Sequence, residues 1–459
     1  MATVNPSQNI LSPSGIAQAI RFMRGTGISL YVHGAPGISK SAVALQEADR
    51  FGIAFIDFRL TTVAPEDVRG VPMMDDAGGM RGLVWTPPLV FPRDLDLAGV
   101  VDVQGSQSIK FYNPVGNNGI FYCKKPAITV QALDTGLTAE IVKQTLDAFV
   151  VVLKNAAGDL VSGKVLWTVT GKSEAVLGLE EFNSAVPAVM AAAYQLILDR
   201  RIGDYVVPQG VMIIAMGNRD GDKGVTFKIP KPVANRFVHL EMKHNFLDWQ
   251  TWAIEKNIHS DVVGFLSKWE SHLFDENFAS KPTHAFNTPR SWEFVSKIIN
   301  QETLPSKEIL RALICGTLGD GVGTEFMSHR EYMEDMPNVQ DIFSGRVTAF
   351  NPKHSQYKIQ IAYSTCVQMC YALKNESDAV DAKYGGIEHH RLEIDKSPER
   401  AALVEKMDKA INYAKSNFPP EVLVVFNRMA LQIYKLRFSS KSMAAFIDFA
   451  KTNRNMLLT

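Results

Sequence analysis

Ser29-Leu30-Tyr31-Val32-His33-Gly34-Ala35-Pro36-Gly37-Ile38-Ser39-Lys40-Ser41 joins a short apolar run to an Ala/Leu-rich helical pattern. Strand, glycine-bearing loop, Lys-Ser and helix, in that order, make the physical plan of a phosphate cradle. Loop N–H groups face the anion, and the helix N-terminus adds partial positive charge. In that plan the Lys40 ammonium sits against the outer phosphates and the Ser41 hydroxyl holds a Mg2+ ion. One position departs from it. The spacing G-x-x-x-x-G-K-[ST] has glycine where this chain has Ser39. Taken alone, the stretch is equally an ordinary Gly/Pro turn between a strand and a helix, so its surroundings have to decide.

Outward from the loop, residues 13–24 carry apolar positions at helical spacing after a Ser-Pro start, and a helix is expected over 41–51. Residues 54–60 (AFIDFRL) form a second strand, which makes a β-α-β unit and implies a parallel sheet. Further on, the buried strand 175–179 runs into Glu180-Glu181, a helix covers 187–199, and the apolar strand 211–216 ends in Gly217-Asn218-Arg219. An open α/β sheet places its ligand site at the C-terminal ends of such strands. Two carboxylates and an Asn there fit a nucleotide–metal site. A lone Glu-Glu would be a solvated strand end; beside Lys40-Ser41 it belongs to the site.

Residues 71–74 and 80–85 flank Asp75-Asp76-Ala77-Gly78-Gly79 as a hairpin, a projecting tool or assembly surface that nucleotide binding alone does not explain. From about 99 to 171 the pattern becomes strand-rich, with strands at 100–103, 109–112, 120–123 and 128–131 and a turn at Asn118-Gly119. A helix is expected over 138–146, and 148–153 with 165–169 form a hairpin around 155–159. Past Ala234-Asn235-Arg236-Phe237 the chain is mainly helical. Helices fall at 245–257 and 261–273, after a Thr288 or Ser291 cap, and on either side of a Gly-rich break at 316–323. The last three are expected at 357–373, 399–416 and 422–437.

Length bounds the chain at two to four domains, since 459 residues exceed one typical unit. Apolar and charged contents of 46% and 21% are those of a protein with an ordinary core. Lys+Arg and Asp+Glu balance at 48 each, so no global field draws the chain to nucleic acid or anionic membrane. The four cysteines are scattered, which suits a reducing cytoplasm, and Cys366 and Cys370 read as buried thiols. Glu388-His389-His390 reads as a solvated loop. The N-terminus lacks the basic and apolar regions of a signal peptide, and no apolar run approaches the ~20 residues that span a bilayer. A soluble, cytoplasmic protein is expected.

Several stretches, in order, resemble the MoxR-like AAA+ ATPases, in particular small bacterial and phage-encoded members of the helix-2-insert clade. They are GAPGISKS (34–41), FIDFRLTTVAPEDVRGVP (55–72), WTPPLVFP (85–92), EEFNSAVPAVMAAAYQLILDRRIGDYVVP (180–208), AMGNRDGD (215–222), VANRFVHLEM (233–242) and FNTPRSWEFVS (286–296). The resemblance covers about 10–98 and 172–345, and the C-terminal helices more loosely. It implies an α/β fold: a P-loop AAA+ core with a parallel sheet flanked by helices, a β-rich insertion, and a C-terminal helical lid and bundle. The corresponding segments are 1–98 and 172–243 for the core, 99–171 for the insertion, 244–345 for the lid and 346–459 for the extension.

The resemblance also implies roles. Gly34, Ala35, Pro36, Gly37, Ile38, Ser39, Lys40 and Ser41 match the Walker A loop that binds ATP. Ser41 and Glu180 match the Mg2+ site, and Glu181 the carboxylate that polarises the attacking water. Asn218 matches sensor 1, Arg236 an arginine finger reaching a neighbouring subunit, and Arg290 sensor 2. The hairpin at 71–85 matches the insert that faces the pore of a ring. A hexamer is therefore implied, acting on a protein client, a von Willebrand A-type protein being one candidate.

Three departures matter: Ser39 for glycine, Glu180 for the usual Asp, and the insertion, which has no counterpart in the family pattern. Slow hydrolysis is expected, because phosphoryl transfer depends on positioning and electrostatics. The competing functions are a nucleotide-dependent scaffold that barely turns over and a nucleic-acid motor. The motor would draw on Lys435, Arg437, Lys441, Lys451 and Arg454, which a solvated helical face explains as well.

Overall fold

The computed structural model describes residues 9–439 except 76–81, 87, 89, 112–122, 124, 204, 220, 223–225, 282–283, 352, 354–357 and 385–394. The expected tip of the first hairpin, the Asn118-Gly119 turn, Glu388-His389-His390, and Lys441, Lys451 and Arg454 lie outside the described residues. The chain divides into two compact units, residues 1–243 and 244–459.

In the first unit β1 (Ile10–Leu11) precedes α1 (Pro13–Met23), whose start is capped by Ser12 accepting from the Gly15 N–H. Then come β2 (Ser29–Gly34), α2 (Lys40–Phe51), β3 (Ala54–Arg59) and α3 (Pro65–Arg69). An antiparallel pair follows, β4 (Val71–Asp75) with β5 (Gly82–Thr86). Six strands make the insertion: β6 (Leu95–Val103), β7 (Ser106–Lys110), β8 (Ala127–Ala132), β9 (Thr138–Gln144), β10 (Ala148–Lys154) and β11 (Gly163–Gly171). The first pattern resumes with β12 (Ala175–Glu180) and α4 (Pro187–Asp199), then the short pair β13 (Arg201–Ile202) and β14 (Tyr205–Val206). It ends with β15 (Val211–Gly217), α5 (Lys231–Ala234) and β16 (Phe237–Met242).

The main sheet has the order β1-β16-β2-β15-β12-β3, and every pairing in it is parallel. β12 and β15 are buried at every position, the continuous apolar run that a central strand covered on both faces requires. On one face Val189, Met190, Ala193 and Leu196 of α4 pack on Leu177, Leu179, Ile213 and Ala215. The fold class is the one read from the sequence: an α/β core whose parallel sheet is flanked by helices, with a β-rich insertion and C-terminal helices. All parallel strands end on one edge, so Gly34, Glu180 and Gly217 are delivered side by side.

Three local expectations are corrected. Residues 237–242 fall in the core segment but no strand is expected there, since the pattern past Phe237 reads as mainly helical; yet β16 pairs with β2 along its whole length and extends the sheet. The helix expected over 138–146 is β9. There Ala139 and Ile141 turn inward while Thr138, Glu140 and Val142 are exposed, a period of two that strand pairing with β10 rewards. The expected hairpin of 148–153 with 165–169 does not form. Asn155 does close a turn, its side chain accepting from the N–H groups of Ala157 and Asp159. The chain then crosses to a second sheet, giving β7-β10-β9 and β6-β11-β8. The two sheets share a core of Leu95, Val103, Phe149, Val151, Leu153 and Val165.

The second unit is helical. It comprises α6 (Phe246–Glu255), α7 (Ser260–Lys268), α8 (Pro289–Ile299), α9 (Lys307–Leu318), α10 (Asp320–Tyr332), α11 (Val339–Ser344), α12 (Lys358–Lys383), α13 (Pro398–Asn417) and α14 (Pro420–Asn427). The expected Gly-rich break shrinks to Gly319 at φ 87°. Gly323 lies inside α10, where an added Cβ would come within 2.7 Å of the Cys315 Cα. Cys366 and Cys370 are buried among Phe265, Leu373, Met407 and Phe426, and burial pushes the Cys366 thiol well up. Among the described residues no helix is long and apolar enough to cross a membrane.

Candidate active site

The loop between β2 and α2 is shaped by three residues. Gly34 has no room for a side chain, since an added Cβ would lie 2.5 Å from the Met242 carbonyl oxygen. Gly37 and Ser39 both have left-handed backbones, with φ 76° and 70°. The position where the usual spacing has glycine thus demands the conformation glycine adopts most cheaply, and Ser39 adopts it regardless. For an ordinary L-residue that conformation costs about 1–2 kcal/mol. From the first turn of α2 the Lys40 ammonium folds back on the loop. It donates to the carbonyls of Gly34 and Ala35 at 3.0 Å each and reaches Asn218 Oδ1 at 3.4 Å. Ala35 and Ile38 are buried, and Pro36, Gly37 and Ser39 are half-buried.

Glu180, the last residue of β12, is buried. Burial raises its carboxyl above the usual range. A hydrogen bond from the Ser41 side chain works against that shift, as do the charges of Arg59 and Lys40, while Asp57 adds to it. Its Oε1 has no hydrogen-bond partner. A buried carboxylate with one unsatisfied oxygen, beside a hydroxyl, is the oxygen donor set that a hard divalent cation takes. Ser41 and Glu180 therefore fit a Mg2+ ion.

Glu181 has a quite different setting. Its left-handed backbone (φ 55°) turns the chain out of β12 into the turn Phe182–Ser184. Its half-exposed carboxylate accepts a hydrogen bond from the Thr61 hydroxyl and lies 3.8 Å from the Arg59 guanidinium. Backbone strain of this kind clusters at functional sites. Two adjacent glutamates are thus split by environment, one buried toward Ser41 and one facing solvent.

Asn218 follows β15 and is held through its backbone by Asn183. The Asn183 amide donates to the Asn218 carbonyl at 2.9 Å, and its oxygen accepts from the Asn218 N–H at 3.0 Å. Beyond it Arg219 pairs with Asp222 at 3.2 Å and lies 3.8 Å from Glu241. The structure brings together Lys40, Ser41, Glu180, Glu181 and Asn218. Arg236 is exposed just past α5, donating to the Leu198 carbonyl at 3.2 Å. Arg290 is exposed in the first turn of α8, in the second unit, behind the reciprocal cap of Thr288 and Ser291. Arg59, Thr61 and Asn183 were not singled out from the sequence. Their signal was their place in two of the quoted stretches, at the end of β3 and just past β12.

No family model and no curated protein matches the chain. Among solved structures, it is similar to that of a candidate ATPase from Cytophaga hutchinsonii, at 12% identity over 98% of this chain and 90% of that one. The TM-score is 0.27.

Proposed function

We propose that the chain is a Mg2+-dependent ATP-binding and ATP-hydrolysing ring ATPase of MoxR-like type that remodels or matures a protein partner. The observation that carries this is the buried Glu180 carboxylate, one oxygen unpartnered, beside Ser41 at the mouth of a loop whose Lys40 has folded inward. Held by Ser41 and Glu180, the metal would supply neutralising charge at the phosphates. Backbone N–H groups from Gly34 to Ser41 and the Lys40 ammonium bind the phosphate chain. Glu181 accepts from and orients the attacking water, and the Asn218 amide fixes its line of approach. These residues act by position and charge, which is nearly all that phosphoryl transfer asks of a protein.

Arg236, at the surface, is read as the charge supplied to a neighbour's site, and Arg290 as the sensor 2 arginine that the resemblance implies. A trans-acting arginine has a use only at a subunit interface, so a hexameric ring is part of the proposal. Its test is mass in solution with and without ATP, for the natural chain and for Arg236→Ala. An ATP-promoted hexamer that turns over in the natural chain and not in the variant supports the ring. A monomer under both conditions counts against it. The second reading, a scaffold that binds ATP and barely hydrolyses it, is favoured by the bond that ties Glu181 to Thr61.

A further inference from the structure

We infer that Asn183 is a positioning residue for hydrolysis, setting Asn218 through a two-point grip on its backbone; this rests on the ATPase reading above. Asn183 is only 3% exposed, although an asparagine side chain carries two donors and an acceptor that burial would otherwise leave costly. The amide donates to the Asn218 carbonyl and accepts from the Asn218 N–H. That is the pairing a neighbouring strand would offer, supplied by one side chain at the point where the sheet has ended.

Two features of the backbone make the grip. The left-handed turn at Glu181 redirects the chain, and the tight turn that follows is closed by the Ser184 and Ala185 N–H groups on the Glu181 carbonyl. Phe182 is buried against Tyr31, Tyr194 and Phe237, which pins the turn to the sheet. On the other side, Gly217 leaves the space the amide occupies: an added Cβ would collide with Asn183 Oδ1 and the Tyr31 hydroxyl. The Asn183 carbonyl also accepts from the Phe227 N–H at 2.6 Å, in the segment that leads to α5 and Arg236. One buried residue therefore joins the turn after Glu181, the backbone of Asn218 and the approach to Arg236.

The consequence is for rate rather than binding. With both backbone atoms of residue 218 fixed, the Asn218 amide keeps a defined place relative to Lys40, whose ammonium lies 3.4 Å from its oxygen. A catalytic group has to be held within about 0.5 Å of its productive place, and a displacement of about 1 Å costs on the order of a hundredfold. On this reading nucleotide affinity comes from the loop and Lys40, whereas the hydrogen bonds of Asn183 go to Asn218 and Phe227.

The experiment compares the steady-state ATP turnover of the natural chain, Asn183→Ala and Asn183→Asp, with Gly217→Ala as an independent route to the same displacement. Asn183→Asp keeps an acceptor for the Asn218 N–H but faces the Asn218 carbonyl with a second acceptor. Melting temperature and nucleotide affinity are measured beside the rates. The expected result is a fall in kcat of roughly 10- to 100-fold in all three, with KM for ATP within about threefold. Equal loss of kcat and affinity, or loss tracking the melting temperature, would make Asn183 merely structural and overturn the inference. So would natural kcat in Asn183→Ala. If the natural chain itself fails to hydrolyse ATP, the ATPase reading falls first and this inference with it.

Discussion

Lys40 and Asn218 face each other across the ends of neighbouring strands, the ammonium 3.4 Å from the amide oxygen while it also donates to the Gly34 and Ala35 carbonyls. These are neutral oxygens. A phosphate offers full negative charge in their place, and charge-assisted hydrogen bonds are the stronger ones. Lys40→Ala is expected to weaken ATP binding by about 1.5–3 kcal/mol, roughly 10- to 150-fold, with little change in melting temperature. Calorimetric titration with ATP and Mg2+ measures it. Unchanged affinity would place the phosphates elsewhere.

Ser39 tests how far the loop tolerates its departure from glycine. Ser39→Gly removes left-handed strain of about 1–2 kcal/mol but loosens the unfolded chain by about 0.4–1 kcal/mol. The net gain in stability is therefore expected to lie between zero and about 1.6 kcal/mol. Ser39→Val, β-branched at the same φ of 70°, should lose more than that and weaken nucleotide binding. Thermal melts and ATP titration of both variants check this. A valine tolerated as well as serine would mean that the loop relaxes out of the left-handed region.

Thr61 and Arg59 stand at the end of β3 and its following turn, and both engage Glu181. A carboxylate so engaged has to let go before it can orient water. Thr61→Val is expected to raise basal ATP turnover a few-fold, and Glu181→Gln to abolish it without loss of nucleotide affinity. Basal rates of the two variants decide the point. Turnover that falls in Thr61→Val would instead make the hydroxyl part of the working arrangement.

His329 gives the helical unit a pH dependence. It is packed among Phe265, Trp269 and Phe326, and burial lowers its pKa to about 4, outweighing the Asp261 charge that acts to raise it. The unfolded chain, titrating near 6.5, takes up a proton that the folded chain refuses between those values. Stability is therefore full above about pH 6.5 and falls as pH drops toward 4, by at most about 1.4 kcal/mol per unit. Between pH 7 and 5 the natural chain should lose about 2 kcal/mol more than His329→Phe. Parallel denaturation curves at the two pH values test this, and equal losses would assign the acid sensitivity to other groups.

The parallel core was legible because its strands are continuous apolar runs that end in polar residues: Val211 to Met216 before Asn218, Ala175 to Leu179 before Glu180. Local pattern and tertiary environment agree there. β9 was misread because Thr138 to Gln144 carries no signal strong enough to outweigh pairing with β10. β16 was missed because Phe237 to Met242 is buried only at its ends, with an exposed Val238 and half-buried His239, Leu240 and Glu241 between, so no clean alternation marks it and only its pairing with β2 makes it a strand. The hairpin expected of β10 and β11 failed for a related reason. A turn signal at Asn155 says that the chain reverses, and nothing local says which sheet it rejoins. At the site, residue types at strand ends could be read directly. Asn183 could not, since its role depends on the left-handed turn at Glu181 and the bare backbone at Gly217.

The measurement that bears most directly on the central claim is Mg2+-dependent ATP turnover by the purified chain beside Glu181→Gln. The account predicts turnover that needs Mg2+, vanishes in the variant, and accompanies undiminished ATP binding in both. Turnover that persists in Glu181→Gln, or no ATP binding by the natural chain, would contradict it.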